Sequence, residues 1–383
     1  MVAIRGLSGL RPAAASVARV TSPPYDVIKP GSALEKRLRA EPASLFHVIL
    51  GEDPPGALGR SRSEGHLVDD DDPALYVYEQ RWGDSERNGL FVAAEVSPYE
   101  RGQIIRHERT FDAKVQGRIA LSRATGHTFG PVFVLTRARI GEALQQAKAG
   151  EPCYEFTSDF GGHGDLHGIR NRVWRVLEDS PEGRALRELI APHPFYIADG
   201  HHRYHAALRN GQTHFLCYVT EEARIQAYNR VVNGTRPFAD IASQLDLEPV
   251  EALHTPPKHV FSLRTRAGAW TLRAREVPDD VVGRLDCAIL ERELYPLLGL
   301  DHSHIVDSAH FDYYPESALG EMNDVVDRGD YDLAIGLAPV SLEELMAVAD
   351  AGLNDPNIVM PEKSTFFAPK ILSGLFVYRH VLS

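Results

Sequence analysis

Phe195-Tyr196-Ile197-Ala198-Asp199-Gly200-His201-His202-Arg203-Tyr204-His205-Ala206-Ala207-Leu208 carries the strongest signal in the chain. An apolar run ends at Asp-Gly, and two histidines and an arginine then open a segment with helical spacing that stops at Gly211. The pattern predicts a buried strand over 195–198, a tight turn and a helix over 201–210. Such a junction makes an anion site. The first helical N–H groups have no partner in the helix and point outward, where the dipole favours negative charge. Arg203 adds a forked donor that suits phosphate. His201 and His202 can donate, accept or carry a proton near neutral pH. The plain alternative is a strand–turn–helix corner whose histidines cap the helix.

Composition narrows the field. The chain has 383 residues, 43% hydrophobic and 25% charged, the balance of a globular protein. That length predicts two intertwined lobes or two domains. The net charge is −12 and no Lys/Arg-rich block occurs, which argues against nucleic acid as a partner. Three scattered cysteines, Cys153, Cys217 and Cys287, give neither a disulfide framework nor a metal pair. No apolar run is long enough for a membrane span, and the N-terminus lacks a secretory pattern. A cytoplasmic protein is the simplest expectation, with a homo-oligomer left open.

Working outward, Gly6–Pro30 reads as extended chain and turns. Leu45–Leu50 reads as a short strand. Gly51–Asp72, ending in Asp69-Asp70-Asp71-Asp72, reads as a solvated loop rather than a cation site. Ala74–Tyr78 and Leu90–Val96 read as a β pair. Strands are expected at Val132–Leu135, Val173–Leu177, Phe215–Val219 and Leu333–Leu337, and in the tail at Thr365–Phe367 and Gly374–Tyr378. Pro237–Leu245, Cys287–Leu298, Ala318–Val326 and Leu342–Ala351 read as helices. Val260–Leu263 and Trp270–Ala274 read as a hairpin around Arg266-Ala267-Gly268. The class is α+β with mixed strands.

Several stretches together resemble one family. They are Gly9-Leu10-Arg11-Pro12, Ser22-Pro23-Pro24-Tyr25-Asp26-Val27-Ile28, Arg106-His107-Glu108-Arg109-Thr110 and Arg118-Ile119-Ala120-Leu121-Ser122-Arg123-Ala124-Thr125. Ile197 to Ala206, Tyr228-Asn229-Arg230-Val231-Val232, Met360 to Phe367 and Ser373-Gly374-Leu375 complete the set. By these the chain is identified as a member of the DUF1015 proteins. Within that frame, Asp199-Gly200-His201-His202-Arg203 resembles the phosphate-binding signature of the ParB/sulfiredoxin superfamily, in particular its free-serine kinases. In the sulfiredoxin branch a cysteine nucleophile follows the glycine. His201 stands there in this chain, which puts cysteine chemistry in doubt.

The resemblance implies a mixed-sheet ParB/sulfiredoxin-like core elaborated by N- and C-terminal α/β segments. It would place a nucleotide- and phosphate-binding region over residues 1–235 and a C-terminal α/β region over 236–383. It implies phosphate transfer between ATP or ADP, with Mg²⁺, and a small hydroxylated metabolite, a serine-like amino acid being favoured. The reverse reaction or phosphoserine hydrolysis is a close variant. Gly200, His201, His202 and Arg203 would hold phosphate, and His202 would stabilise the transferring group. Asp199 would help bind Mg²⁺, hold His202 or cap the helix. Glu108, flanked by guanidinium groups that keep it ionised, would orient the attacking hydroxyl. Arg106 and His107 accompany it toward substrate. Arg118 and Arg123, with Lys114, share a helical segment and clamp phosphate or a substrate carboxylate, or are solvated charges. Asn229 and Arg230 line a nucleotide or substrate pocket, or belong to a capped turn.

Two rivals remain. A ParB-like regulatory protein would bind nucleotide at the same turn without turning over a metabolite. A zinc hydrolase would use His201 and His205, four apart on one helical face, with His107 or His127. Lys363-Ser364-Thr365 lacks the glycines of a P-loop, and Asp159-Phe160-Gly161 lacks the other parts of a protein kinase.

Overall fold

A computed structural model describes residues 1–161, 166–305, 307 and 309–380, with Asp71 described by its backbone alone. Two compact units result: Met1–Ala223 together with Pro369–Ser383, and Arg224–Ala368. The position 235/236, where the sequence suggested a boundary, falls inside the second unit.

The first unit is built on a mixed sheet of twelve strands among the described residues. Its main path runs Ile104–Ile105, Phe195–Asp199, Val132–Thr136, His214–Thr220, Ser85–Glu95, Leu67–Trp82, Leu7–Pro12, Val377–Arg379 and His127–Thr128. Phe195–Asp199 is sandwiched between a parallel neighbour and an antiparallel one. Phe195 and Tyr196 pair in parallel with Ile104 and Ile105, and the other edge meets Val132–Thr136. The register slips between Ile197 and Asp199, a bulge that re-aims the strand end. Phe195, Tyr196, Ile197 and Ala198 are all buried, which explains a continuous apolar run in place of alternation. The tail closes this unit: Gly9 and Leu10 pair with Tyr378 and Val377.

The expected β pair forms, with Tyr76 and Val77 opposite Phe91 and Leu90. Leu45–Leu50 is not a strand. Phe46–Ile49 is a helical turn, because Leu45, Phe46, Val48 and Ile49 all face the core, a helical spacing rather than an alternating one. Gly51–Asp72 is not a loop either. Pro54–Ser63 is a helix whose N-cap Asp53 accepts from Gly56 N–H, with Pro54 in the first turn; this Asp-Pro start is a helix signal hidden in a loop-like composition. The acidic run lies in the strand Leu67–Trp82. Its Asp69 pairs with Arg62 at 3.1 Å, and Asp70 lies between Arg11 and Arg175.

The second unit holds a six-stranded sheet in the order Leu247–Val250, Gly268–Arg273, Val260–Thr265, Leu333–Gly336, Tyr228–Val232 and Phe311–Pro315. All neighbours are antiparallel. Thr265 pairs with Gly268, so Arg266-Ala267 is the hairpin loop. Met322 and Val326 of the helix Leu319–Asp327 pack with Val231 and Ala334. Arg224–Gln226 pairs separately with Phe366–Ala368. No helix among the described residues is long and apolar enough to cross a membrane.

Candidate active site

Gly200 turns the corner between the strand Phe195–Asp199 and the helix His201–Arg209 with φ 95° and ψ 28°, a conformation that glycine adopts without a Cβ clash. A Cβ there would lie 2.9 Å from Arg203 Nε. Among the described residues no side chain caps the helix, so its N-terminus keeps an anion-seeking character. The turn is braced from below. Arg203 Nη2 lies 3.0 Å from Asp199 Oδ2, and Nη1 donates to the Pro131 carbonyl. Burial opposes ionisation of Asp199, but the charges of Lys370 and Arg203 and the Gly200 N–H hold its carboxyl below the usual range. Asp199 is therefore the counter-ion of two cations.

The parallel pairing brings a second element to the same place. Strands that run side by side end side by side, so Arg106-His107-Glu108, which leave Ile105, emerge next to Asp199-Gly200-His201. The Glu108 carboxylate sits between two imidazoles, 3.5 Å from His201 Nδ1 and 3.8 Å from His107 Nε2. The two rings meet edge to face at 4.5 Å. His107 is fully buried and His201 only 3% exposed. Burial pushes His107 down to about 4, and burial with the nearby His107, His202 and Arg106 pushes His201 well below the ordinary imidazole value. Burial thus favours the neutral form of both rings.

The other expected residues are distributed as follows. His202 stacks on Phe111 at 5.8 Å and its Nε2 accepts from Phe111 N–H. Arg106 lies over the Tyr99 ring at 4.8 Å. Arg118, on the helix Asp112–Thr125, lies over Tyr25 at 4.1 Å, and its buried Nε has no hydrogen-bond partner among the described residues. Arg123 donates to Asn210 Oδ1 at 2.8 Å and braces the two helices. A cavity of about 60 Å³ opens beside Arg203, lined among others by Tyr25, Arg118, Ser122, Phe129 and Gln212. It has room for a few water-sized groups. Asn229 and Arg230 belong to the second unit, both buried in its sheet. Asn229 Oδ1 accepts from Leu337 N–H, and Arg230 donates to the Tyr228 carbonyl.

The helical histidine pair is not gathered. His205 stacks on Tyr99 at 6.0 Å, while His201 turns toward His107 and Glu108. The cluster with ligand atoms within 4.8 Å of one another is His107, Glu108 and His201. Sequence reasoning also missed Lys370 and the Tyr25 ring as members of this site. Tyr25 sat inside a family-like stretch, but nothing local marked Lys370.

Residues 4–288 match the family described as "Protein of unknown function (DUF1015)", and the chain belongs to it. No curated protein matches the chain. Among solved structures, a free serine kinase in complex with AMP is similar at 12% identity and TM-score 0.37, over 75% of this chain and 92% of that one. SbnI with a C-terminal truncation, from Staphylococcus aureus, is similar at 12% identity and TM-score 0.41, over 75% and 87%. A conserved hypothetical protein from Pyrococcus furiosus is similar at 11% identity and TM-score 0.35, over 77% and 94%. All three scores lie below 0.5.

Proposed function

We propose that the protein moves a phosphoryl group between ATP or ADP and the hydroxyl of a small metabolite, with a serine-like amino acid the favoured acceptor. One observation carries the reading: an uncapped, glycine-turned helix N-terminus and an ionisable carboxylate, Glu108, stand at the same end of two parallel strands. Phosphoryl transfer asks for little more than anion donors and a group that orients the hydroxyl. The core that frames these elements is, on this reading, of the ParB/sulfiredoxin type that the Asp-Gly-His-His-Arg signature resembles.

In the forward direction the acceptor hydroxyl oxygen attacks the terminal phosphorus. The bond from that phosphorus to the bridging oxygen breaks, and ADP or AMP leaves with the electron pair. Glu108 takes the hydroxyl proton. The backbone after Gly200 and the fixed dipole of the helix hold the phosphate oxygens. Arg203 keeps the turn in shape through Asp199 and Pro131. His202, whose Nε2 accepts from Phe111 N–H, would donate to the transferring group through Nδ1–H.

Asp199 does not fit the role of Mg²⁺ ligand, because Arg203 and Lys370 already neutralise it. Mg²⁺ would enter only as the counter-ion of the nucleotide and would keep most of its water.

The test is a phosphorus NMR screen of the full chain with Mg²⁺ nucleotide and hydroxylated metabolites, L-serine first, and phosphoserine with ADP or AMP for the reverse direction. A new phosphomonoester that disappears in Glu108→Gln supports the reading. Nucleotide binding with no transfer to any acceptor replaces it with a nucleotide-dependent regulatory role.

A further inference from the structure

We infer that His201 is a positioning residue for Glu108, and that the peptide N–H of His107 selects the His201 tautomer that lets it act. The inference rests on the reading of Glu108 as the group that orients the hydroxyl. The side chain that begins the helix looks, from its sequence position, like a phosphate contact; its ring instead turns inward.

Three observations carry this. First, His107 N–H points at His201 Nε2, 3.4 Å away. An N–H can only approach a ring nitrogen that offers a lone pair, so the single proton of the neutral imidazole resides on Nδ1. Second, His201 Nδ1 is the ring atom that faces Glu108, 3.5 Å from Oε2. The Nδ1–H is then the donor nearest the carboxylate. The separation is longer than a finished hydrogen bond, as catalytic contacts often are before substrate binds. Third, the ring has no freedom to turn away. It is 3% exposed and wedged edge to face against the fully buried His107. The result is a chain from peptide N–H to imidazole to carboxylate. It holds one oxygen of Glu108, whose side chain is 30% exposed.

Two imidazoles and a carboxylate this close also form a donor set suited to zinc or another transition ion. The tautomer decides between the readings. Coordination through Nδ1 would force the proton onto Nε2, where it would face the His107 N–H donor to donor.

The experiment is long-range proton–nitrogen NMR on the full chain labelled in histidine, with His201 assigned by its loss in His201→Asn. The expected result is the Nδ1-protonated pattern between pH 6 and 8, with the Nδ1–H resonance displaced in Glu108→Gln. An Nε2-protonated ring, or a resonance indifferent to Glu108→Gln, overturns the inference. So does a slow-exchange shift on adding one equivalent of zinc, which would make the cluster a metal site. These readouts stand whether or not phosphate is transferred, so failure of the transfer reading is seen separately. Where transfer is observed, asparagine, which places an N–H where Nδ1–H stood, should retain kcat within a few-fold, while His201→Leu loses about 100-fold with nucleotide KM unchanged. Equal losses in both variants contradict the positioning role.

Discussion

Acid should weaken this protein through His107 before it protonates many carboxylates, and replacing His107 by glutamine should remove that sensitivity. His107 is fully buried and neutral in the fold, with its value pushed down to about 4 by burial. An unfolded chain binds a proton there near pH 6.5. The unfolded state therefore holds more protons between these values, and stability rises with pH across that window. The contribution is complete above about pH 6.5 and is lost as the pH falls toward 4. The whole gap is worth about 3 kcal/mol at 1.36 kcal/mol per tenfold, and about 2 kcal/mol of it goes between pH 7 and pH 5. His201, shifted in the same direction, adds to the slope. Urea unfolding at several pH values between 5 and 7.5 measures this directly. His107→Gln lowers stability at pH 7, since it disturbs a packed ring, but its loss from pH 7 to 5 should be about 2 kcal/mol smaller than that of the unaltered chain. Identical pH slopes in the two proteins would refute a neutral, proton-excluding His107.

Other expectations follow from the same geometry. Arg203→Ala removes one of the two counter-ions of Asp199 and should cost about 2 kcal/mol, while nucleotide affinity falls at least tenfold by calorimetry. Arg203→Lys should recover part of the stability and little of the affinity, because the fork to Asp199 and Pro131 is lost. Gly200→Ala should cost about 1–2 kcal/mol from its left-handed backbone, read as a lower thermal midpoint. Deleting residues 369–383 removes the strand beside Leu7–Pro12, with the buried Leu375, Phe376, Val377 and Tyr378. The truncated chain should lose cooperative unfolding of the first unit; a folded first unit without its tail would contradict the assignment of that strand.

The strand–turn–helix at 195–209 was legible because it depends on local features: an apolar run, an Asp-Gly corner and a glycine stop. The hairpin at Arg266-Ala267 was legible for the same reason. Leu45–Leu50 and Gly51–Asp72 were less legible: their composition is that of a strand and a loop, whereas the spacing of the apolar residues in the first and the Asp53 cap in the second make helices. The neighbourhood of Glu108 and His201 was beyond the reach of local pattern. It depends on Ile104–Ile105, a strand of two residues, too short to show any periodicity, pairing with a segment about ninety positions away. Lys370 reaches Asp199 from the returning tail, and no sequence rule announces that a C-terminal segment re-enters the first unit. The orientation of His201 was equally hidden: its position at the helix start suggests phosphate, whereas the ring is claimed by the adjacent strand end.

The central claim is that Glu108 works on a hydroxyl at a phosphate held by the Gly200 turn. It is tested most directly by comparing binding with transfer in Glu108→Gln, using ATP or ADP with Mg²⁺ and the acceptor found in the NMR screen. The account predicts nucleotide affinity within about threefold of the unaltered protein and phosphate transfer reduced by about 100-fold or more. Transfer at an unchanged rate in Glu108→Gln would contradict it.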